Sequence, residues 1–232
     1  MQSAQKTCYF TRTERALWTI SMLCIVGSFL YFDRANYMTL AASLVGATSL
    51  ILSAKGNPLG QALMIVFSGL YGVISWRFAY YGEMLTYVGM TGPMALFSLV
   101  AWLRNPFNGN RAEVKVGSVG WREAAFMAVL CGVVTVAFYG ILGRLGTAQL
   151  APSTVSVTTS FVAVYLTFRR SAYFALAYAA NDMVLLVLWG LASMENTSYV
   201  SMVVCFAAFL VNDGYGYVSW RRMQIRQGAE AS

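Results

Sequence analysis

The stretch YGYVSWRR, residues 215–222, ends the last of eight long apolar segments in this 232-residue chain. Tryptophan and arginine are enriched where a helix leaves the hydrocarbon core of a membrane, and this stretch has that pattern. Of all residues, 58% are hydrophobic and 11% are charged, whereas soluble domains carry about 25% charged residues. Because open strands cannot satisfy their backbone groups in lipid, we predict an all-α integral membrane protein.

Each apolar segment approaches the length of about 20 residues that a membrane-spanning helix needs. The eight predicted spans cover residues 15–32, 37–54, 58–78, 84–103, 121–143, 150–168, 172–193 and 198–220. With these spans, 13 of the 16 lysines and arginines fall on the side that carries both termini. The positive-inside rule then predicts that the N-terminus and the C-terminus are cytoplasmic.

The opening stretch has a counterpart 118 residues earlier in the chain. In FSLVAWLR, residues 97–104, a valine, a tryptophan and an arginine stand at the positions of Val218, Trp220 and Arg222. Both stretches end spans that run toward the cytoplasm, as a parallel repeat requires. The segment YGVISWR, residues 71–77, shares more letters with the last span but ends a span of the opposite direction. Alternatively, the two stretches are unrelated and both carry Trp and Arg because each one ends a membrane-spanning helix.

We therefore predict two parallel three-helix repeats joined by a linker helix, with one extra helix at the N-terminus. This 3+1+3 plan with parallel repeats is a known transporter architecture. The predicted regions are a tail and extra helix at 1–36, a first bundle at 37–103, a cytoplasmic loop and linker helix at 104–149, a second bundle at 150–222 and a cytoplasmic tail at 223–232.

Two acidic residues lie deep inside predicted spans: Asp182 in span seven and Asp213 in span eight. Each follows an asparagine, Asn181 or Asn212. At the helical rise per residue, the two acids are roughly 15 and 12 Å from the cytoplasmic ends of their spans. Charged residues at such depth are costly and usually face a partner or a water-filled cavity. Two at one level, in consecutive helices, predict a binding site.

Helical spacing adds aromatic residues to these acids. Tyr178 and Trp189 share a face of span seven with Asp182, and Tyr217 shares a face of span eight with Asp213. The adjacent stripe of span eight carries Asn212 and Tyr215. Carboxylates flanked by aromatic faces suit a flat ring with a positive charge. Packing between helices is the alternative role of these side chains.

Other polar and helix-breaking positions complete the candidate set. Gln61, near the inner end of span three, is either a lining or an interfacial residue. Interruptions by glycine and proline in matching spans point to a substrate site or to simple kinks. We predict hinges or helix breaks at Gly92, Pro93, Gly214 and Gly216.

The sequence offers few candidates for catalytic residues, so we do not expect an enzyme. The chain contains no histidine, no Cys-x-x-Cys pair and no phosphate-binding loop, and we expect no cofactor and no metal. Two intramembrane aspartates allow an aspartyl protease dyad, but a Gly-x-Gly-Asp stretch surrounds neither of them. The basic residues form no continuous face for nucleic acid. A non-transporting structural protein is a third alternative.

Several stretches resemble the PnuC family of vitamin transporters. They are Tyr81-Gly82-Glu83-Met84, Pro93-Met94, Trp102 before a basic exit, Ala112-Glu113-Val114-Lys115-Val116, Asn181 within span seven, and Asn212-x-x-Tyr215-Gly216-Tyr217-x-x-Trp220. The resemblance covers most of residues 55–222, and the last pattern is its most specific part.

The resemblance implies a SWEET-like fold of eight helices in a bacterial inner membrane. It also implies facilitated diffusion of an unphosphorylated vitamin precursor, which a cytosolic kinase then traps. Nicotinamide riboside is the expected substrate and thiamine the alternative, and a homo-oligomer is compatible with the sequence. The family's binding residues map onto Asn181, Asn212, Tyr215 and Tyr217. The two aspartates are not part of the family pattern, but they favour a substrate with a cationic ring.

Overall fold

The computed structural model describes residues 9–147 and 149–230. Eight helical segments of this part of the chain are long and apolar enough to cross a membrane, which confirms the predicted number and the helical class. The helices are α1 (Arg12–Phe32), α2 (Tyr37–Ala54), α3 (Leu59–Arg77), α4 (Tyr81–Leu85), α5 (Gly92–Arg104), α6 (Trp121–Leu145), α7 (Leu150–Phe168), α8 (Phe174–Glu195) and α9 (Val200–Ala229).

Helices α4 and α5 belong to one span, Tyr81–Leu103, and a π-helical segment, Thr86–Thr91, joins them. A short 3-10 helix, Thr197–Tyr199, leads into α9. The two ends of the described chain, Tyr9 and Glu230, lie at the same end of the bundle, which we call the terminal face. The other end is called the opposite face.

A small β-hairpin at the terminal face was not predicted. Strands Pro106–Phe107 and Asn110–Val114 pair antiparallel, and Phe107 lies opposite Asn110. The two loop residues, Asn108 and Gly109, have φ values of 46° and 77°. Asn-Gly is the pair that tolerates positive φ at both positions of a tight hairpin turn, so the hairpin is built into the local sequence.

Helix α9 extends nine residues past the predicted end of its span, through the start of the predicted tail, and holds the hairpin. The Gln227 side chain donates to the Val114 carbonyl at 3.0 Å and accepts from the Val116 amide at 2.8 Å. Arg226 pairs with Glu113 on the second strand. The loop between the two predicted bundles is therefore attached to the last helix of the chain.

The two aligned tryptophans make reciprocal contacts across the bundle. The Trp102 indole donates to the Thr167 carbonyl at the end of α7 at 3.0 Å. The Trp220 indole donates to the Ser53 carbonyl at the end of α2 at 2.8 Å. The two rings pack together with centroids 5.3 Å apart. The third helix of each predicted half thus binds the end of the first helix of the other half, an arrangement that fits two parallel repeats.

The predicted break in span eight is wrong at Gly214 and Gly216, because α9 continues as a single helix from Val200 to Ala229. A glycine costs about 1 kcal/mol in a helix interior, which packing on neighbouring helices readily offsets. A Cβ at Gly216 would lie 3.4 Å from the Cβ of Ala175, which is an ordinary van der Waals contact. Gly214 faces open space.

Helix α6 lies at the edge of the bundle, as a linker between repeats would. Of its 25 residues, Cys131 and Leu142 are the buried ones. The buried side chains of the other helices form two apolar clusters. One surrounds Tyr71, Phe206 and Trp189 toward the opposite face, and the other surrounds Trp102 and Trp220 at the terminal face.

Candidate functional site

The two intramembrane aspartates lie together between α8 and α9. Asp182 and Asp213 are each 4% exposed, and their carboxyl groups interact directly. Asp182 Oδ2 has no hydrogen-bond partner within the described chain. Two buried carboxyls in contact are costly unless a proton or a cation lies with them. The pair is therefore suited to hold a positive group of a ligand.

Asn181 is fixed beside this pair by hydroxyl groups of α7. Its Oδ1 accepts hydrogen bonds from Ser156 at 3.2 Å, Thr159 at 2.8 Å and Ser160 at 3.0 Å. The hydroxyls lie on one face because their spacing matches the helical period. With Oδ1 so occupied, Asn181 can contact a ligand only through its amide NH₂ group.

Aromatic side chains cover the acids on the side of the opposite face. The Trp189 indole donates to the Tyr71 hydroxyl at 2.7 Å, and the Tyr71 and Tyr87 rings meet at 4.4 Å. Tyr80, in the loop before α4, packs its ring 5.1 Å from that of Trp189. Burial raises the pKa of Tyr80 to about 12, so its phenol is neutral at physiological pH.

Tyr178 lies on the other side of the acid pair. Its buried phenol is close enough to Asp182 and Asp213 to experience both charges, and its ring packs edge-on against Phe174. The structure thus brings five of the predicted site residues into one region. We define the central site as Tyr71, Glu83, Tyr87, Tyr178, Asn181, Asp182, Trp189 and Asp213.

Glu83 is the acidic member of the central site that sequence reasoning did not select. It is completely buried on α4, although the sequence pattern placed it in an outer loop. The fourth helical segment begins at Tyr81, three residues before the predicted span. Its position directly beside a predicted span boundary was the sequence signal that could have identified Glu83 as a buried residue.

Two predicted site residues of α9 contact α1, and substrate contact by these two residues stays a prediction. Asn212 donates to the Ser21 hydroxyl at 2.9 Å, and the Tyr215 hydroxyl bonds to Glu14 at 3.1 Å. Glu14 also pairs with Lys55 at 3.1 Å. Asn212 and Tyr215 thus attach the extra N-terminal helix to the last helix.

Two further predicted residues lie toward the terminal face. Gln61 donates to the Ser53 hydroxyl at 3.3 Å in the contact between α2 and α3. Tyr217 packs against Tyr173, with ring centroids 6.0 Å apart. Substrate contact by these two residues stays a prediction.

The predicted break in span four coincides with a change of helix type. The π-helical segment ends at Thr91, directly before Gly92 and Pro93. Pro93 has no N–H to donate to the preceding turn, and π-type turns often occur at functional sites. A Cβ at Gly92 would lie 3.2 Å from the Tyr87 carbonyl, so glycine relieves this turn. A hinge motion at this break stays a prediction.

The chain combines eight helices of membrane-spanning length with a buried acidic and aromatic site, as membrane transporters do, and comparison with known proteins identifies the class and the family. A family profile described as nicotinamide mononucleotide transporter matches residues 36–222. The chain belongs to this family, which confirms the expected PnuC membership.

Two relatives and one solved structure are similar over nearly the whole chain. The nicotinamide riboside transporter PnuC of Neisseria mucosa is 24% identical over 93% of this chain and 83% of its own. That of Haemophilus influenzae is 20% identical over 82% of each chain. The crystal structure of the vitamin B3 transporter PnuC has a TM-score of 0.83 at 21% identity and covers 94% of both chains.

Proposed function

We propose that the protein takes up nicotinamide riboside by facilitated diffusion. The observation that carries this proposal is the buried pair Asp182 and Asp213 within the aromatic central site. The pyridinium ring of nicotinamide riboside is flat and positively charged, so carboxylates and aromatic faces both stabilise it. The relatives named as nicotinamide riboside transporters support the same substrate.

Alternating access around the central site is the proposed mechanism. The site lies between the two apolar clusters, and a ligand bound there can be released to either face if one cluster separates at a time. The three-helix bundles would rock against each other, with the break before Pro93 as a point of bending. The charge distribution supports an orientation with both termini in the cytoplasm of a bacterial cell.

A cytosolic kinase is the proposed partner that makes uptake productive. Without a membrane potential, facilitated diffusion only equalises the concentration of a cationic substrate across the membrane. Phosphorylation adds negative charge to the product, and the acidic central site would repel that product electrostatically. Accumulation would therefore depend on the kinase and not on an ion gradient.

Uptake into proteoliposomes tests this proposal. Labelled nicotinamide riboside should enter saturably to equilibrium, without acceleration by a proton or sodium gradient. It should accumulate beyond equilibrium only when a riboside kinase and ATP are enclosed. Uptake driven by an ion gradient would contradict facilitated diffusion.

Thiamine is the second candidate substrate, because its thiazolium ring is also cationic. The same vesicles should be tested with labelled thiamine, and riboflavin serves as a neutral control. Uptake of thiamine without nicotinamide riboside would favour the alternative. Uptake of neither compound would contradict both.

A further inference from the structure

Glu83 is a fully buried carboxylate that the proposed binding of a cationic ring does not use. Its exposure is 0%, and neither of its oxygens has a hydrogen-bond partner among the described residues. A buried charged or polar group without a partner costs free energy, so it usually serves a ligand or a conformational step. The surrounding contacts indicate which ligand group would fit.

Close packing of α4 on α7 holds Glu83 in the interior. A Cβ at the neighbouring Gly82 would lie 2.9 Å from the Cβ of Ser153, so only glycine permits this approach. One turn further along α7, the Ser156 hydroxyl lies beside Glu83. That hydroxyl has one proton, and it donates it to Asn181 Oδ1. Glu83 is therefore left with two acceptor oxygens and no donor.

Glu83 and Asp182 of the aspartate pair are both close to one tyrosine. The Tyr87 phenol is close enough to experience the charges of both Glu83 and Asp182. Ser156 likewise separates Glu83 from Asn181, which precedes Asp182 on α8. The central site thus combines the acceptor oxygens of Glu83 with a separate place for a positive charge.

We propose that Glu83 binds the vicinal diol of a ribosyl group while the aspartate pair holds the cationic ring of the same ligand. Two adjacent hydroxyls supply two O–H donors, which match the two free oxygens of one carboxylate. This inference rests on the proposed function and narrows its substrate class to cationic ribosides. Thiamine has a cationic ring but no vicinal diol, so Glu83 selects against it.

Competition against labelled nicotinamide riboside uptake in proteoliposomes tests this inference on the wild-type protein. The competitors are unlabelled nicotinamide riboside and its 2′-deoxy analogue, which keeps the cationic ring but lacks one donor. Loss of one hydrogen bond to a charged acceptor should weaken competition about 10- to 100-fold. Equal competition would overturn the role of Glu83 and leave the proposed function intact. If the wild type takes up no nicotinamide riboside, the proposed function and this inference both fail.

The variant Glu83→Gln has nearly the same shape and neutralises the carboxylate. We expect its preference for the riboside over the 2′-deoxy analogue to fall to less than about fivefold, because a neutral acceptor is weaker. Glu195→Gln, an exposed acid at the end of α8, is the matched control and should keep the wild-type ratio. An unchanged ratio in Glu83→Gln would overturn the proposal. If this variant fails to fold, the wild-type competition decides alone.

Discussion

The two sides of the Asp182 carboxyl group have different surroundings. One side of its carboxyl group meets Asp213, and Oδ2 has no partner in the part of the chain that the structure describes. A ligand cation would reduce both costs at once, because its positive charge would offset the repulsion between the two carboxyl groups and attract the free oxygen. This residue should therefore discriminate substrates by charge.

Asp182→Asn should weaken uptake of nicotinamide riboside about tenfold or more, because a full charge no longer faces the cationic ring. The reduced dihydro form of the riboside has a neutral ring of nearly the same shape and should lose less than about threefold. Concentration-dependent uptake of both compounds by wild type and variant measures the difference. Equal losses for the two compounds would indicate a structural role for Asp182.

Many individual residues of the site could be predicted from the sequence, because acidic residues inside apolar spans are rare. Asp182 and Asp213 stand out for this reason, and helical spacing assigns Tyr178 to the same face. Spacing also places Asn212 and Tyr215 on an adjacent stripe of α9. It could not show that this stripe meets Ser21 and Glu14, because α1 has no fixed position in the sequence pattern.

At the scale of elements, the fourth span differs from the eighth although both contain glycine. Pro93 removes a backbone donor, which no packing can restore, and the preceding turn adopts the π form. Gly214 and Gly216 keep their donors, and α9 continues through them. A sequence predicts a helix break reliably at a proline, because the backbone hydrogen bond is impossible there. It predicts a break less reliably at a glycine, where that bond can still form.

Pro93→Ala should reduce the maximal rate of uptake several-fold while substrate affinity changes less than about twofold. The restored N–H can bond to the preceding turn and favour a regular α-helix over the π segment. Pro152→Ala is the matched control, because Pro152 lies in the first turn of α7, where no intrahelical donor is lost. A variant that binds weakly but turns over at the normal rate would argue against a hinge.

The hairpin at residues 106–114 has a sequence signal that a search for membrane spans does not detect. Asn108-Gly109 is a strong two-residue turn motif, yet the flanking strands are short and polar. Their stability depends on Gln227, which lies more than a hundred positions away. The local sequence could have predicted the turn. Its attachment to α9 could not be predicted locally, because it depends on how distant segments pack together.

At the scale of the whole molecule, the repeat is visible in the reciprocal bonds of Trp102 and Trp220. Three matching letters were enough to align α5 with α9, because helix direction excluded the longer match at residues 71–77. The letters could not distinguish a repeat from two similar membrane exits. The exchange of bonds with Thr167 and Ser53 relates the two halves in both directions, which supports a parallel repeat.

Trp102→Phe and Trp220→Phe should each destabilise the protein by about 1–3 kcal/mol, because each leaves a buried carbonyl without its donor. Since the rings are in contact, the double variant should deviate from the sum of the single effects. Thermal unfolding in detergent measures these changes. Trp121→Phe, at a ring that is 78% exposed, is the control and should change stability little. A large loss in only one of the two buried variants would contradict equivalent roles.

The attachment of α1 to α9 has a consequence for how the two halves differ in polarity. Where α9 carries Asn212 and Tyr215, the corresponding positions of α5, 118 residues earlier, carry Met94 and Phe97. Phe97 is 56% exposed and faces outward, whereas Tyr215 bonds to Glu14 of α1. The outward face of α5 would meet lipid, whereas α1 shields the matching face of α9 from it. Cover by α1 thus permits polar side chains on this face of α9, whereas the uncovered face of α5 carries apolar ones.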